Sequence, residues 1–559
     1  MEIRTKLNPN VFQEGSQMKS VDAVAKILKL EGVEYLFCFP ANTLIDAAAK
    51  IDIRPIMTRT ERTLINMADG FSRMTNGKRL GVATIQAGPG SENAFAGVAQ
   101  AFSDSVPILV LPGCVSRHNM DIPTNFESVK NYAGVTKWVA QINLADRVPD
   151  MMRRAFSLLR MGHPAPVILE MPTDVATEDI QDNFEYHIPQ SSRPSGDPQS
   201  VKEAIKMLMS SENPILHVGQ GVLYAEATDE LIEFAELTQV PVMTTLAGKS
   251  AFPENHPLSL GTSGYTGTGM VKHFLPKADL VFGLGCSFSK SVMSTRIPNG
   301  KIMIQNSIDE YDINKDYAID QAIVGDAKLV LKQLIDQAKT QLDIEPRNNP
   351  SSKIQQVKEQ WLSEWMPKLT SDEVPINPYR LIWDLMQTVD KEQTIITHDS
   401  GNPRDQMVPF YETVTPRSYI GWGKSTQLGY GLGLIMGAKL AAPEKLAINV
   451  MGDAAFGMAG MDFETAVRER IPILTIILNN SALGGYEHHL PIATEKYGTK
   501  FLSGDYTKVA EGLGGYSEKV EAPDDIIPSI KRAQKETEAG RPALLEVITR
   551  EEGAFSRGY

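Results

Sequence analysis

Short apolar runs rich in branched side chains alternate along this chain with stretches whose apolar residues recur at helical spacing. The runs read as buried strands and the periodic stretches as amphipathic helices. In the first third, residues 35–39, 54–58, 80–85, 107–111 and 166–170 are strands on this reading. Val21, Val24, Ala25 and Leu28 mark a helix closed by Gly32, and Leu64, Ile65, Ala68 and Phe71 mark a second that stops before Gly77. A tight turn at Gly88-Pro89-Gly90 leads into a third helix over 91–102. The alternation resumes with strands at 215–218, 242–244, 280–283 and 302–304, and again at 394–397, 446–451 and 473–478. Strands alternating with helices in this way predict parallel, doubly wound sheets. At 559 residues the chain is too long for one core, so the expected fold is α/β with three doubly wound parallel-sheet domains.

Polar stretches fall where boundaries between such domains are needed. The segment 187–200 is rich in Pro and Ser, and 345–353 is polar throughout. With a polar leader over residues 1–17 set aside, the expected domains run over 18–186, 200–343 and 370–559.

The most informative stretch lies in the last of these. Residues 445–480 read KLAINVMGDAAFGMAGMDFETAVRERIPILTIILNN. A strand stops at Gly452-Asp453-Ala454, a helix with Phe463, Ala466 and Val467 on one face runs to Pro472, and a second strand ends on Asn479-Asn480. Such a βαβ unit sets both polar clusters at the carboxyl ends of adjacent strands, where open α/β sheets bind ligands. The Asp453 carboxylate, the Asn480 amide carbonyl and the Ala482 backbone carbonyl are hard oxygen ligands. They suit an octahedral Mg²⁺ completed by phosphate oxygens and water. Small residues at Gly452, Ala454 and Ala455 let a diphosphate approach the backbone. A Gly-Asp pair alone is more often a simple turn; the strand–helix–strand setting is what points to a ligand.

These residues resemble the diphosphate motif of thiamine-diphosphate enzymes, a Gly-Asp-Gly followed at some distance by Asn-Asn, with Ala454 in the third place here. The group it most resembles is that of acetolactate synthase, pyruvate oxidase, oxalyl-CoA decarboxylase and 2-hydroxyacyl-CoA lyase. The resemblance implies thiamine diphosphate and Mg²⁺ as cofactors, and adds Leu483 and Gly484 to the residues around the diphosphate. It also names the three domains as pyrimidine-binding, central and diphosphate-binding.

Upstream, ERTLINMADGFSR from Glu61 and AGPGSENAFAGVAQAFSDSVPILVLPG from Ala87 look like the family's pyrimidine-binding domain. An acid opening a helix ordinarily just complements the helix dipole. In the family, the matching Glu hydrogen-bonds the aminopyrimidine and relays a proton so that the imino form can deprotonate thiazolium C2. Burial in an apolar cleft raises a carboxyl pKa and fits Glu61 for sharing that proton. Thr60 stands where relatives often carry His. In the third domain, HDSGNPR (398–404) matches the family's diphosphate contacts at Gly401 and Asn402, with Pro403 where acetolactate synthases commonly have His. GWGKSTQLGYGLGLIM (421–436) resembles the segment beneath the thiazolium. By that likeness Leu428 props the cofactor in its bent form, an orientation effect, and the backbone of Thr426 and Leu428 holds the pyrimidine edge. In the central domain, Gly219-Gln220-Gly221 and GTSGYTGTG (261–269) leave FAD, ADP or CoA, or a purely structural role open, because a lone GxG is a weak signal.

Composition narrows the partners. Hydrophobic content of 42% with 22% charged residues is that of a soluble globular protein. No apolar run reaches the length of a membrane span, and the polar N-terminus is not a signal peptide. Cys38, Cys114 and Cys286 lie far apart without metal-ligand spacing, as buried thiols of a cytoplasmic protein. A net charge of −13 argues against nucleic acid and anionic membranes. The expected partners are a small-molecule substrate, an acyl-CoA or a 2-oxo acid, and further copies of the chain. In the family, Glu61 and Asp453 come from different subunits of a homodimer or homotetramer.

Two features bear on the reaction. After Asn480 the chain reads SALGGYEHHLP, without the Gly-Met-Val and Trp-containing helix of acetolactate synthases. The Gly484-Gly485 pair instead sets Glu487 as an acid–base group for a substrate hydroxyl; His488 and His489 read as solvent-facing, with either open to assisting that proton transfer. The tail EEGAFSRGY, with Ser556 and Arg557, resembles the closing tail of oxalyl-CoA decarboxylase and 2-hydroxyacyl-CoA lyase. The first expectation is therefore a 2-hydroxyacyl-CoA lyase, giving an aldehyde or ketone plus formyl-CoA. The alternative is an acetolactate-synthase-like carboligase or a 2-oxo acid decarboxylase. From another class comes a flavin oxidase or dinucleotide oxidoreductase built on the central domain.

Overall fold

The computed structural model describes residues 17–340, 349–486 and 488–557. Residues 1–16 of the polar leader and Glu487 lie outside them. The described residues form two compact units, 17–72 with 77–191 and 73–76 with 192–557.

The first unit is built on a six-stranded, all-parallel sheet. Its order is Arg54–Met57, Tyr35–Phe39, Gly81–Ile85, Ile108–Cys114, Val167–Pro172 and Trp138–Gln141. Strand Gly81–Ile85 is buried at every position, as expected where helices cover both faces. Helix Glu61–Met74 buries Leu64, Ile65, Ala68 and Phe71, the stripe its sequence offers. Strand Trp138–Gln141 is only half-buried along its length, which is why no apolar run announces it.

The second unit holds two more parallel sheets. The central one runs Ser259–Thr262, Val242–Thr244, Pro214–Val218, Leu280–Leu284, Ile302–Ser307 and Gln321–Val324. The last runs Tyr419–Ile420, Thr394–His398, Leu446–Gly452, Ile473–Asn479, Ala543–Ile548 and Tyr516–Val520. One apolar core joins them, with Trp361 stacked on Phe410 at 5.0 Å between ring centroids.

Both polar stretches are shorter than composition suggests. Helix Pro198–Ser210 starts inside the first, with Pro at its opening position and Asp197 accepting from the Ser200 N–H as its cap. Helix Ser351–Leu369 starts inside the second. The C-terminal tail is also anchored differently from a free closing segment. Ser556 Oγ donates to Gly267 O at 2.7 Å and accepts from Trp361 Nε1 at 3.2 Å, while Tyr379 donates to Ala554 O at 2.7 Å. The tail is thus pinned against the central sheet's loops.

Candidate active site

The last sheet reverses its winding between strands Thr394–His398 and Leu446–Gly452. Beyond their carboxyl ends the two following loops diverge and leave a cavity of about 320 Å³. Gly401, Asn402, Thr426, Leu428, Gly452, Asp453, Ala454, Ala455, Asn480, Ala482, Leu483 and Gly484 all line it. Twelve residues singled out in four separate stretches of sequence therefore meet in one place.

The local folding explains why. Strands Leu446–Gly452 and Ile473–Asn479 pair in parallel with Gly452 opposite Leu478, so Asp453 and the Asn479-Asn480 turn emerge side by side. Asn479 Oδ1 accepts from the Ser481 N–H at 2.9 Å and Asn480 Oδ1 from the Ala482 N–H at 3.1 Å. Ser481 adopts φ 55°, a left-handed conformation unusual for a residue with a side chain, and it swings Ala482 back towards the cavity. The turn is braced from behind. Buried Glu546 accepts from Asn479 Nδ2 at 2.7 Å and from the N–H groups of Tyr506 and Thr507, each at 3.1 Å.

Asp453 is the most telling side chain. Its Oδ1 accepts from the Ala454 N–H at 2.8 Å, but its buried Oδ2 has no hydrogen-bond partner among the described residues. Burial raises its pKa above the ordinary aspartate value, opposed by the N–H groups of Ala454, Ser481 and Ala482. A buried carboxylate oxygen with nothing to meet it is an invitation to a cation. The asparagine amide and backbone carbonyl nearby supply oxygen donors of the same hardness. The cradle around it is cut to the backbone. A Cβ added at Gly484 would lie 2.5 Å from Asn402 Nδ2, whereas one at Gly452 would meet only Pro403 Cγ at 4.0 Å and would project into space a ligand needs. The residues present fit a diphosphate held through a divalent metal.

A second buried carboxylate orders the opposite wall. Asp399 accepts from the Ser400 N–H at 2.7 Å, the Gly429 N–H at 2.9 Å and the Gly431 N–H at 2.8 Å. It thereby ties the Gly401-Asn402 loop to the segment carrying Thr426 and Leu428, which Ser400 Oγ reinforces by donating to Thr426 O at 2.9 Å. Leu428 packs on the cluster of Met451, Ala455 and Phe456. Neither Asp399 nor Glu546 stood out in the sequence, although Asp399 adjoins the Ser-Gly-Asn run and Glu546 interrupts an apolar one.

Sequence reasoning also missed Met293, Arg404, Gln406 and Arg550 on the cavity wall. Glu487 lies outside the described residues; its neighbour Tyr486 lines the cavity, and His488 and His489 are exposed. Glu61 belongs to the first unit. It is buried at the start of its helix, accepts from Asn93 Nδ2 at 3.3 Å, and faces the first turn of helix Pro89–Ser103, where a Cβ on Gly90 would sit 3.6 Å from its Oε1. At the central crevice the backbone of the described residues packs on itself. Its Gly219-Gln220-Gly221 turn packs directly on Gly285, with a Gly219 Cβ calculated to fall 2.2 Å from Gly285 O.

Comparison with known proteins fits this geometry. Three family descriptions match the chain: "Thiamine pyrophosphate enzyme, N-terminal TPP binding domain" over residues 18–140, "central domain" over 201–334 and "C-terminal TPP binding domain" over 399–547. A probable acetolactate synthase large subunit of Methanocaldococcus jannaschii is 33% identical, covering 95% of this chain and 92% of its own length. That of Methanococcus aeolicus is 32% identical over 92% of this chain and 90% of its own. A glyoxylate carboligase of Escherichia coli is 28% identical over 95% and 93%. These names favour the carboligase alternative over the 2-hydroxyacyl-CoA lyase that Glu487 and the tail suggested. No helix among the described residues is long and apolar enough to cross a membrane. The chain belongs to the thiamine pyrophosphate enzymes of the acetolactate synthase family.

Proposed function

We propose that the protein is a thiamine-diphosphate- and Mg²⁺-dependent carboligase that joins two 2-oxo acids. The observation that carries this reading is the switch-point cavity with the Asp453 Oδ2 that has no hydrogen-bond partner among the described residues, in a chain whose relatives are named acetolactate synthase and glyoxylate carboligase. Asp453, Asn480 and the Ala482 carbonyl hold Mg²⁺, and Gly401, Asn402, Gly452, Ala454, Ala455, Leu483 and Gly484 surround the diphosphate. Thiamine diphosphate, when bound, supplies the electron sink for breaking and making carbon–carbon bonds beside a carbonyl. Leu428 would pack against the bound cofactor and orient it, and the Thr426 and Leu428 backbone would hold its pyrimidine edge. Glu61 holds and moves a proton at the pyrimidine nitrogen. In a dimer or tetramer each site takes Glu61 from one copy and Asp453 from another. The central domain has a structural role and contributes Met293 to the cavity wall. Three buried free thiols suit the reducing cytoplasm.

The test is a product screen of the protein with thiamine diphosphate and Mg²⁺ against pyruvate, oxalyl-CoA and several 2-hydroxyacyl-CoAs. Carbon dioxide and acetolactate from pyruvate are expected; turnover of CoA thioesters alone would overturn the reading. Mixing separately inactive Glu61→Gln and Asp453→Ala proteins should restore activity, because a mixed dimer regains one intact pair. Two inactive proteins that stay inactive together would sink the shared site.

A further inference from the structure

The turn that carries two of the proposed metal donors is clamped by one buried carboxylate, and both of its oxygens are in use. Glu546, fully buried on strand Ala543–Ile548, accepts with Oε1 from Asn479 Nδ2 at 2.7 Å. With Oε2 it accepts from the Tyr506 and Thr507 N–H groups, each at 3.1 Å. Lys519 Nζ stands off at 3.8 Å from Oε2 and lies closer, at 3.2 Å, to Asp505. Each arm of the clamp leads to the donors. On the first, Asn479 turns its Oδ1 to the Ser481 N–H at 2.9 Å and to Ser481 Oγ at 3.2 Å. It thereby holds the left-handed Ser481 that returns Ala482 to the cavity. On the second, the chain leading to Tyr506 pairs with that turn. Leu502 N–H donates to Ser481 O and Leu483 N–H to Lys500 O, each at 2.8 Å.

Among the described residues, every group that meets this carboxylate is a donor, and that excludes an amide in its place. A glutamine has one acceptor oxygen and one NH2 donor. Turned one way, its NH2 opposes the Tyr506 and Thr507 N–H groups; turned the other way, it opposes Asn479 Nδ2. If Asn479 flips in answer, its own NH2 meets the Ser481 N–H, and the mismatch moves into the turn that holds the donors. Only a carboxylate serves both sides. The consequence falls on the metal. Mg²⁺ demands near-ideal octahedral geometry with donors at about 2.0–2.1 Å, whereas Ca²⁺ accepts longer and less regular contacts. A turn clamped on both sides suits the smaller ion, and a loosened one weakens Mg²⁺ more than Ca²⁺.

We propose that Glu546 is the positioning residue that makes the site of Asp453, Asn480 and the Ala482 carbonyl selective for Mg²⁺ over Ca²⁺. This assignment rests on the metal reading proposed above. The test titrates thiamine diphosphate calorimetrically into the full chain, freed of metal by chelation, with either Mg²⁺ or Ca²⁺ added back. Glu546→Gln should lower Mg²⁺-supported affinity by about 10- to 100-fold and Ca²⁺-supported affinity by less, so that their ratio falls by about fivefold or more. Exchanging the pair, Asn479→Asp with Glu546→Gln, sets a donor against every acceptor again. The amide of the second substitution then donates to the carboxylate of the first, which still accepts from the Ser481 N–H. The exchanged pair should return to within about threefold of the wild-type ratio. Because both ions carry the same charge, the ratio is blind to where the buried negative charge sits. An unchanged ratio in Glu546→Gln overturns the proposal, as does an exchanged pair no better than Glu546→Gln. Equal losses with both metals, the mark of general loosening, overturn it too. If Glu546→Gln does not fold, the exchanged pair carries the test alone: it should fold and keep the wild-type ratio, and failure in either overturns the proposal. Wild-type protein that does not prefer Mg²⁺ overturns this assignment alone. Wild-type protein whose thiamine-diphosphate affinity ignores both metals overturns the metal reading, and this assignment with it.

Discussion

The central sheet has the strand order of dinucleotide-binding folds, whereas the last sheet has another, and their switch points are filled in opposite ways. Both sheets are parallel and belong to the same compact unit. At the central crevice the loops after Pro214–Val218 and Leu280–Leu284 collapse onto each other. Gly219 N–H donates to Leu284 O and Gly221 N–H to Gly285 O, each at 3.0 Å, and Gly248 closes in from a third strand's loop, its Cβ position 2.6 Å from Val218 O. At the last crevice the loops part, held open by Asp399 on one side and by Glu546 through Asn479 on the other. Glycine serves backbone contact in the first case and leaves room in the second. Strand order makes a crevice, but the loops beyond it decide whether the protein or a ligand fills it.

The contrast is broken most directly at Asp453. Asp453→Ala should lower Mg²⁺-dependent thiamine-diphosphate affinity by more than about 100-fold, since among the described residues it is the one carboxylate lining the cavity. Calorimetric titration showing unchanged affinity would remove the metal from this site. At the central crevice the corresponding change acts on stability. Gly219→Ala drives a methyl into the Gly285 carbonyl and should destabilise the protein by about 3 kcal/mol, read as a lower urea midpoint. A variant as stable as wild type would mean that this crevice can open.

His217 sharpens the same point through pH. It ends up buried on strand Pro214–Val218, stacked on Phe288 at 5.7 Å, and burial pushes its pKa down to about 4 from 6.5. The folded state therefore resists the proton that the unfolded chain accepts. Stability is complete above about pH 6.5 and falls as pH drops towards 4, by up to about 3 kcal/mol. Unfolding midpoints of wild type and His217→Phe should diverge over that window; parallel curves would refute the effect. The smallest effect is expected at Gly452, where an added Cβ finds open space. Gly452→Ala should fold with unchanged stability yet bind thiamine diphosphate about tenfold more weakly, because the methyl occupies the diphosphate's approach. Equal affinity would show that the diphosphate passes elsewhere.

The sequence by itself determined the local elements and the chemistry at their ends. Strand 446–452, the helix over Phe463 and Ala466, and strand 473–479 follow from apolar period and Pro472 alone, since branched runs and helical stripes are local signals. The same holds for Gly452-Asp453, Asn480 and the Glu61 helix, each of which sits where a strand stops. Strands with polar or half-buried positions escaped it, among them Trp138–Gln141 and Ala543–Ile548, whose buried Glu546 breaks the run. Only the tertiary structure decided which crevice is open, because a GxG turn reads alike whether its glycines meet a phosphate or a neighbouring backbone. It alone brought Met293, Arg404, Gln406 and Arg550 into the lining of one cavity, and set Arg557 of the tail against Tyr265. Those residues stand far apart along the chain, and a contact made by folding leaves no period or spacing in the sequence to announce it.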